Sequence, residues 1–469
     1  MIRVFYQYVS PKGILLVSLE GILMALSLLG GVKLYSWAEP GSFHSNATLP
    51  VLAGRALLIV AVFQFCFYYN HLYDANRSKP RRKQWIRLGE SLAAGAVVLG
   101  LLQFASPVIL ISPIVVVLTV TLVAASVLAG RFAIETAWEV AAPVQNILIL
   151  GTGGLALNVA RELACRDDLN IKLIGFITNE PGQVDGNGTW LGTRRLVAAD
   201  RLESVVVENQ VSRIIVAMED RRAALPVDDL MKLRLQGCRI EDAHSTLAGL
   251  TGRVWLDTLR PSWFVFSEGF RRSRSIAALK RAIDVVFGLA GLVVSAPLMA
   301  LVALAIRLDS RGPILYRQVR VGLRGRPFHV LKFRSMDVYA EANGEAQWAR
   351  EHDPRVTRVG RFLRKFRLDE LPQFLNVVRG EMSFVGPRPE RPVFVERLRR
   401  HIFYYDARHS ARPGITGWAQ VQYPYGASVE DAARKLEYDL FYLKNMSLLF
   451  DLAILLKTVR IVLLGRGGR

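Results

Sequence analysis

The sequence predicts a multi-domain membrane protein. Its parts are an N-terminal bundle of four transmembrane helices (residues 1–135), a Rossmann-like α/β domain (143–258), a linker (259–278) and a C-terminal α/β domain (279–469) with a re-entrant membrane helix. Three observations carry the prediction. Apolar residues make up 51% of the 469 and cluster in four runs near the N-terminus. A short apolar strand runs into a glycine turn at Gly151. A later apolar run carries basic residues at both ends.

The four runs lie at about 14–32, 52–69, 89–104 and 107–129. Each approaches the roughly 20 residues that span a hydrocarbon layer. The first is not expected to be a signal peptide, because no small-residue cleavage site follows it and three more runs come soon after. The loop between runs two and three holds Arg77, Lys79, Arg81, Arg82, Lys83 and Arg87, whereas residues 36–50 hold no Lys or Arg. Basic loops stay in the cytoplasm, which puts the N-terminus and everything after Arg131 on that side. The net charge of +20 then fits a face set against anionic lipid or phosphate rather than nucleic acid. Cys66, Cys165 and Cys238 are widely spaced, with no CxxC, and the seven histidines show no HxxxH. No disulfide framework and no zinc or histidine metal centre is expected.

In the middle domain, "QNILILGT" (145–152) leads into Gly151-Thr-Gly153-Gly-Leu-Ala156 and a helix over about 155–165. This is GxGxxA between a strand and a helix, the context of a dinucleotide fingerprint. Further strands are expected at 171–178, 204–209 and 213–220. Gly151 and Gly153 mark a possible nucleotide turn, with Glu180 as the nearest acidic partner for a ribose. A tight strand-to-helix turn needs such glycines on structural grounds alone.

The run over about 282–306 is long enough to cross a membrane, but Lys280 and Arg281 precede it and Arg307 and Arg311 follow it. Charges at both ends disfavour moving either end across. Pro297 removes a backbone donor near the middle, and the Ser295 hydroxyl can satisfy a freed carbonyl. The pair marks the expected break of a re-entrant helix. The run over 448–464 holds Asp451, Lys457 and Arg460, which suits an interfacial or packed helix.

Further on, "FRLDELPQFLNVVRGEMSFVGPRPE" (366–390) sets Asp369 beside Glu370. Taken alone, the stretch reads as a helix with Asp369 as N-cap, Pro372 in the first turn and Gly380 as the C-terminal stop. Around it lie Lys332, Arg334 and Arg364, whose types suit the oxygens of a polyanion. Several motifs then fall in one order: Asp309-Ser-x-Gly-Pro313, Tyr316-Arg-Gln318, Lys332-Phe-Arg-Ser-Met336, Leu368-Asp-Glu-Leu-Pro-Gln373, Asn376, Gly380-x-Met-Ser383, Val385-Gly-Pro-Arg-Pro389 and Arg412-Pro-Gly-Ile-Thr-Gly-Trp-Ala-Gln420. In these motifs the chain from Leu279 onward resembles the bacterial sugar transferase family, the polyprenyl-phosphate phosphoglycosyl transferases with a monotopic catalytic domain. The preceding segments resemble its large members, which initiate capsule, O-antigen or exopolysaccharide synthesis. Arg367 departs from the family, which usually has a small hydroxyl residue there, and Ala296 separates Ser295 from Pro297.

The resemblance implies transfer of a sugar 1-phosphate, of glucose or galactose, from a UDP-sugar to undecaprenyl phosphate with release of UMP. Asp369 would be the nucleophile that forms an aspartyl phosphosugar, and Glu370 would bind Mg²⁺. Lys332, Arg334 and Arg364 would hold phosphates, and Pro387, Arg388 and Pro389 would line the uridine site. A homodimer in the bacterial inner membrane, its catalytic domain facing the cytoplasm, is also implied. The alternative is a membrane-anchored NAD-dependent sugar-nucleotide dehydratase or epimerase acting through the middle domain. Such enzymes generally need Tyr-x-x-x-Lys; the middle domain has no tyrosine, and the one such spacing, Tyr8 to Lys12, precedes the first apolar run.

Overall fold

The computed structural model describes residues 2–4, 7–9, 11–39, 49–70, 72–73, 81–105, 112–141, 144–178, 189–190, 193–197, 202–218, 225–257, 259, 261–266, 269–270, 273–338, 340, 353–423, 426 and 428–463. It divides into two compact units, Met1–Thr246 and Leu247–Arg469.

The first unit opens with paired strands β1 (Ile2–Val4) and β2 (Gln7–Val9). Four helices follow: α1 (Pro11–Ala38), α2 (Leu49–Tyr69), α3 (Arg81–Ala105) and α4 (Pro113–Ala141). All four are long and apolar enough to cross a membrane. Helices α1, α2 and α3 reach beyond the expected runs; of the fourth run, residues 107–111 lie outside the described residues, and α4 continues past its end to Ala141. Met24, Phe63, Phe67, Leu99 and Val127 form their common core. A buried ion pair between Arg131 and Glu20 ties α4 to α1, and the Tyr73 hydroxyl donates to the other Glu20 oxygen at 2.6 Å. Paired charges are the form in which ionisable groups survive inside such bundles.

The remainder of this unit is a six-stranded sheet. Its elements are β3 (Gln145–Leu150), α5 (Gly154–Ala164), β4 (Ile171–Thr178), β5 (Thr189–Trp190), β6 (Thr193–Val197), α6 (Leu202–Glu208), β7 (Arg213–Val216), α7 (Val227–Leu235) and β8 (Arg239–Asp242). The strand order is β5-β6-β4-β3-β7-β8, parallel except for the β5–β6 pair. β3, buried from Ile147 to Leu150, and the fully buried β7 lie inside the sheet, as the apolar runs of a two-faced parallel sheet require. The strand expected at 204–209 is the helix α6 instead. Val206 faces the core while Val207 is 66% exposed, a helical division of a β-branched run.

In the second unit, α8 (Ala243–Thr251) begins just before the division and α9 (Pro261–Phe266) follows it. Residues 247–257, expected to lie at the end of the middle domain (143–258), belong instead to the C-terminal unit. The Trp418 indole donates to Gly252 O at 2.7 Å, and Arg253 pairs with Glu437 at 2.8 Å. The chain continues as α10 (Arg274–Asp309), the hairpin β9 (Leu315–Val321) and β10 (Pro327–Phe333), α11 (Arg358–Lys365) and α12 (Gln373–Arg379). Then come β11 (Ser383–Val385), α13 (Pro392–His401), β12 (Gly414–Thr416), α14 (Trp418–Gln422), α15 (Val429–Lys444) and α16 (Leu448–Leu463).

Helix α10 also has the length and hydropathy to cross a membrane. Contrary to the expected break, it runs through Ser295 and Pro297 without interruption. The Ser295 hydroxyl donates to Gly291 O at 2.6 Å, whereas Pro297 frees the carbonyl four residues before it, that of Val293, so the serine does not repair the proline's loss. Both halves of α10 pack on the same unit. In the first half Arg281 donates to Val377 O and Val378 O at 2.6 and 2.7 Å, and Asp284 accepts from Ser383 and Phe384 N at 3.1 Å each. In the second half Val302 and Ile306 form a core with Phe333 and Leu363. Val286, Phe287, Val293, Val294, Leu301 and Leu308 are left exposed along the helix. On α16, Asp451 is buried against Lys280 and Tyr442, so this helix is packed at its charged end, while Leu449, Leu452, Leu456 and Val459 are exposed.

Candidate active site

Asp369 and Glu370 stand in a single 3₁₀ turn, Leu368–Glu370, between α11 and α12. Arg367 makes that turn possible: its φ of 54° is left-handed, a strained choice for a residue with a side chain. The N-cap expected at Asp369 is therefore absent. The residue ahead of α12 is Pro372, and neither position caps a helix through its side chain. Gly380 ends α12 as expected, with φ 88°.

Both carboxylates are buried, at 8% and 7% exposure, yet their surroundings differ. Lys332 Nζ and Arg388 Nη2 donate to Glu370 Oε1 at 3.1 and 3.0 Å, and Arg367 Nη1 lies 3.6 Å from Oε2. Burial by itself would raise the Glu370 carboxyl, but these three cations overcome it and hold the group far below the usual carboxylate range. The Asp369 carboxylate accepts no hydrogen bond among the described residues. Burial pushes its pKa up; Lys332 opposes this and the charge on Glu370 adds to it. Arg364 on α11 contributes a further lowering charge, and its guanidinium has no ion pair or hydrogen bond among the described residues. The pair thus consists of one carboxylate fully engaged by cations and one left free.

The supports are built from both neighbours in the fold. Asn376, fully buried on α12, accepts from Leu331 N at 3.0 Å and donates to His329 O at 2.7 Å. It clamps β10 to α12 and so places Lys332 against Glu370. Residues Pro387, Arg388 and Pro389 leave the parallel pair β11–β12 at a point where two backbones nearly touch. A Cβ on Gly386 would lie 2.3 Å from Arg412 O, and one on Gly414 would lie 2.2 Å from Gly386 N. Gly386 and Gly414 are thus the condition for bringing Arg388 to the dyad.

Arg334 corrects the expectation set for it. Its guanidinium donates to Ser310 O and Oγ at 2.7 and 2.9 Å and to Arg311 O at 2.8 Å, closing the end of α10 rather than waiting for a phosphate. Arg367 stands in the sequence as a departure from the family pattern, and its place as a third cation on Glu370 depends on a turn that the sequence does not announce. Gly151 is required by its own packing: its φ is 117°, and a Cβ there would lie 2.8 Å from Ala217 O. Gly153 precedes α5 in extended conformation. Glu180 lies outside the described residues.

Known proteins with this sequence pattern define the class. Residues 275–465 match the profile of the bacterial sugar transferase family. The chain is 45% identical over 220 residues to a UDP-N-acetylgalactosamine-undecaprenyl-phosphate N-acetylgalactosaminephosphotransferase of Aeromonas hydrophila, covering 47% of this chain and 51% of that protein. To an undecaprenyl-phosphate glucose phosphotransferase of Komagataeibacter xylinus it is 33% identical over 350 residues, 71% of this chain and 61% of that one. With a UDP-glucose:undecaprenyl-phosphate glucose-1-phosphate transferase of Caulobacter vibrioides it shares 47% identity over 182 residues, 38% of this chain and 68% of the relative. The chain belongs to the bacterial sugar transferase family. It matches between about half and three fifths of the length of the first two of these relatives.

Proposed function

We propose that this protein transfers a hexose 1-phosphate from a UDP-sugar to undecaprenyl phosphate, releasing UMP, as the first membrane step of exopolysaccharide, capsule or O-antigen synthesis. The observation that carries the reading is the asymmetry of the dyad. A buried carboxylate without hydrogen bonds is poorly solvated and available to attack, while its neighbour gathers the cations that phosphate oxygens need.

An Asp369 oxygen attacks the phosphorus that bears the sugar. The bond from that phosphorus to the bridging oxygen of UMP breaks, and UMP leaves with the electron pair. The product on the protein is an aspartyl phosphosugar. An oxygen of undecaprenyl phosphate then attacks the same phosphorus, and the Asp369 carboxylate is released. Lys332, Arg364 and Arg388 bind the phosphate oxygens in both steps, and the Pro387–Pro389 turn receives the uridine.

The donor set also fits Mg²⁺. No group of three metal-ligating side chains occurs among the described residues, but an ion of this type takes one or two carboxylates and completes its shell with substrate phosphates and water. Glu370, with Asp369 beside it, would hold the ion if Lys332, Arg367 and Arg388 passed part of their contact from Glu370 to the substrate phosphates, and the ion's charge would offset that of the diphosphate.

Helix α10 is proposed to remain in one leaflet, with both ends on the cytoplasmic side of the inner membrane. The packing of both its halves on one unit supports this reading. Relatives named for glucose and for N-acetylgalactosamine support a UDP-hexose donor, and the homodimer remains part of the proposal. Purified protein incubated with UDP-glucose, UDP-galactose or UDP-N-acetylgalactosamine and Mg²⁺, without lipid acceptor, should gain a hexose-phosphate mass on Asp369 with the true donor. An adduct on another residue, or none with any donor that releases UMP, refutes the covalent route. A single cysteine at Arg311 should be labelled only from the cytoplasmic side.

A further inference from the structure

We propose that Arg408, held by Asp439, is a positioning residue for the nucleotide half of the donor site: it fixes the backbone of Arg388 so that the Arg388 guanidinium stands against Glu370. The inference rests on the functional reading above, in which the turn at 387–389 receives the uridine end of the donor.

That turn has little means of holding itself. Two of its three residues are prolines, which have no N–H to donate, so it is secured through its carbonyls. Pro387 O accepts from Gly414 N at 3.0 Å, Arg388 O from Arg408 Nη2 at 3.0 Å, and Pro389 O from Arg320 Nη1 at 3.0 Å. The first donor is backbone. The other two are arginine side chains sent from different elements, and of these Arg408 acts on the residue that meets the dyad.

Arg408 lies in the turn Tyr405–Ser410 after α13 and is 6% exposed. It pairs with the buried Asp439 of α15 at 2.8 Å, and its Nη1 donates to the Tyr405 hydroxyl at 2.6 Å. Among the described residues its one polar contact beyond these two partners is the Arg388 carbonyl. Buried ion pairs rarely add stability over apolar residues of the same volume, because desolvation offsets the attraction. Stability therefore gives little reason for the pair. The bond to Arg388 gives one.

The charges facing Asp439 are Arg408 from that turn, Lys435 on its own helix and Glu390 just beyond Pro389. Burial raises the Asp439 carboxyl to about 6 against the pull of Arg408, with Glu390 adding to the rise and Lys435 opposing it. The pair is therefore intact above that pH, and Arg408 loses its counter-ion as the pH falls through it.

The test uses the full chain in nanodiscs. Arg408→Met with Asp439→Leu removes both charges at similar volume. The double variant should fold, with a thermal midpoint within about 5 °C of wild type. It should bind uridine monophosphate about tenfold more weakly, with a matching rise in KM for the UDP-sugar. Wild-type nucleotide affinity in the folded double variant overturns the inference. Where the double variant does not fold, Arg408→Lys serves, since it keeps the charge and loses the fork; wild-type affinity there overturns the inference equally. A purely structural role also predicts no pH signature. Positioning predicts that the wild-type KM for the UDP-sugar rises as the pH falls through about 6, and that Asp439→Asn holds the high value throughout pH 5 to 7. Wild-type protein that binds no uridine nucleotide refutes the functional reading itself, an outcome distinct from a variant that binds as well as wild type.

Discussion

The molecule contains two tight turns that the sequence singles out for chemistry, one at Gly151 and one at Asp369–Glu370, and they behave differently under physical scrutiny. The first is satisfied by packing. Its left-handed backbone and the 2.8 Å approach to Ala217 O require a glycine, and nothing about the residue is left unexplained. The second is not satisfied by packing. Two buried carboxylates stand together, one with three cations and one with no hydrogen bond, which a fold optimised for stability would avoid. A motif gains functional weight when its residues cost more than the fold needs to spend.

The sharpest way to break the comparison is at Asp369. Asp369→Asn keeps the volume and removes the proposed nucleophile, and the proposed sugar-phosphate transfer should fall by about a thousandfold or more, with the thermal midpoint unchanged or raised. A rate near wild type would leave the free carboxylate without a purpose. Glu370→Gln should cost less, about a hundredfold, because Lys332, Arg367 and Arg388 remain but repel one another without their common anion. Its signature is a KM for the UDP-sugar that rises strongly with ionic strength. The pH profile carries a further sign. The proposed attack needs the ionised form of Asp369, and burial raises its pKa, so turnover with saturating donor should be lost on acidification at a higher pH than an ordinary aspartate would give. Loss only in the ordinary carboxylate range would contradict that assignment.

Much of this site was legible because its residues carry their meaning in type and order. Lys332, Asp369, Glu370 and Arg388 belong to motifs in which charge, glycine and proline fall at set intervals, and the fold brings them together. What was not legible depends on direction in space. Arg334 has the right charge, but the chain turns it onto the end of α10. Arg367 looked like an anomaly until its left-handed φ put it beside Glu370, and the same φ explains why Asp369 is in a 3₁₀ turn and not at a cap. The valines of 205–207 read as a strand by propensity. Tertiary packing made them a helix, as it regularly does for short β-branched segments. Arg408 and Asp439 are 31 residues apart in number and have no motif in common, so only the fold discloses the pair.

The smallest effect is expected at Gly151, and it tests the other half of the comparison. Gly151→Ala forces a Cβ towards Ala217 O and a side chain into a left-handed backbone, at a cost of about 2 kcal/mol or more. The thermal midpoint should fall by several degrees (about 5 °C), whereas kcat and KM of the remaining folded protein should match wild type. Adding NAD or a UDP-sugar should not restore the midpoint of the variant more than that of the wild type, since packing alone accounts for the glycine. A changed KM, or nucleotide-dependent stabilisation that the variant loses, would mean that this turn also serves a ligand, and the contrast between the two turns would then be one of degree.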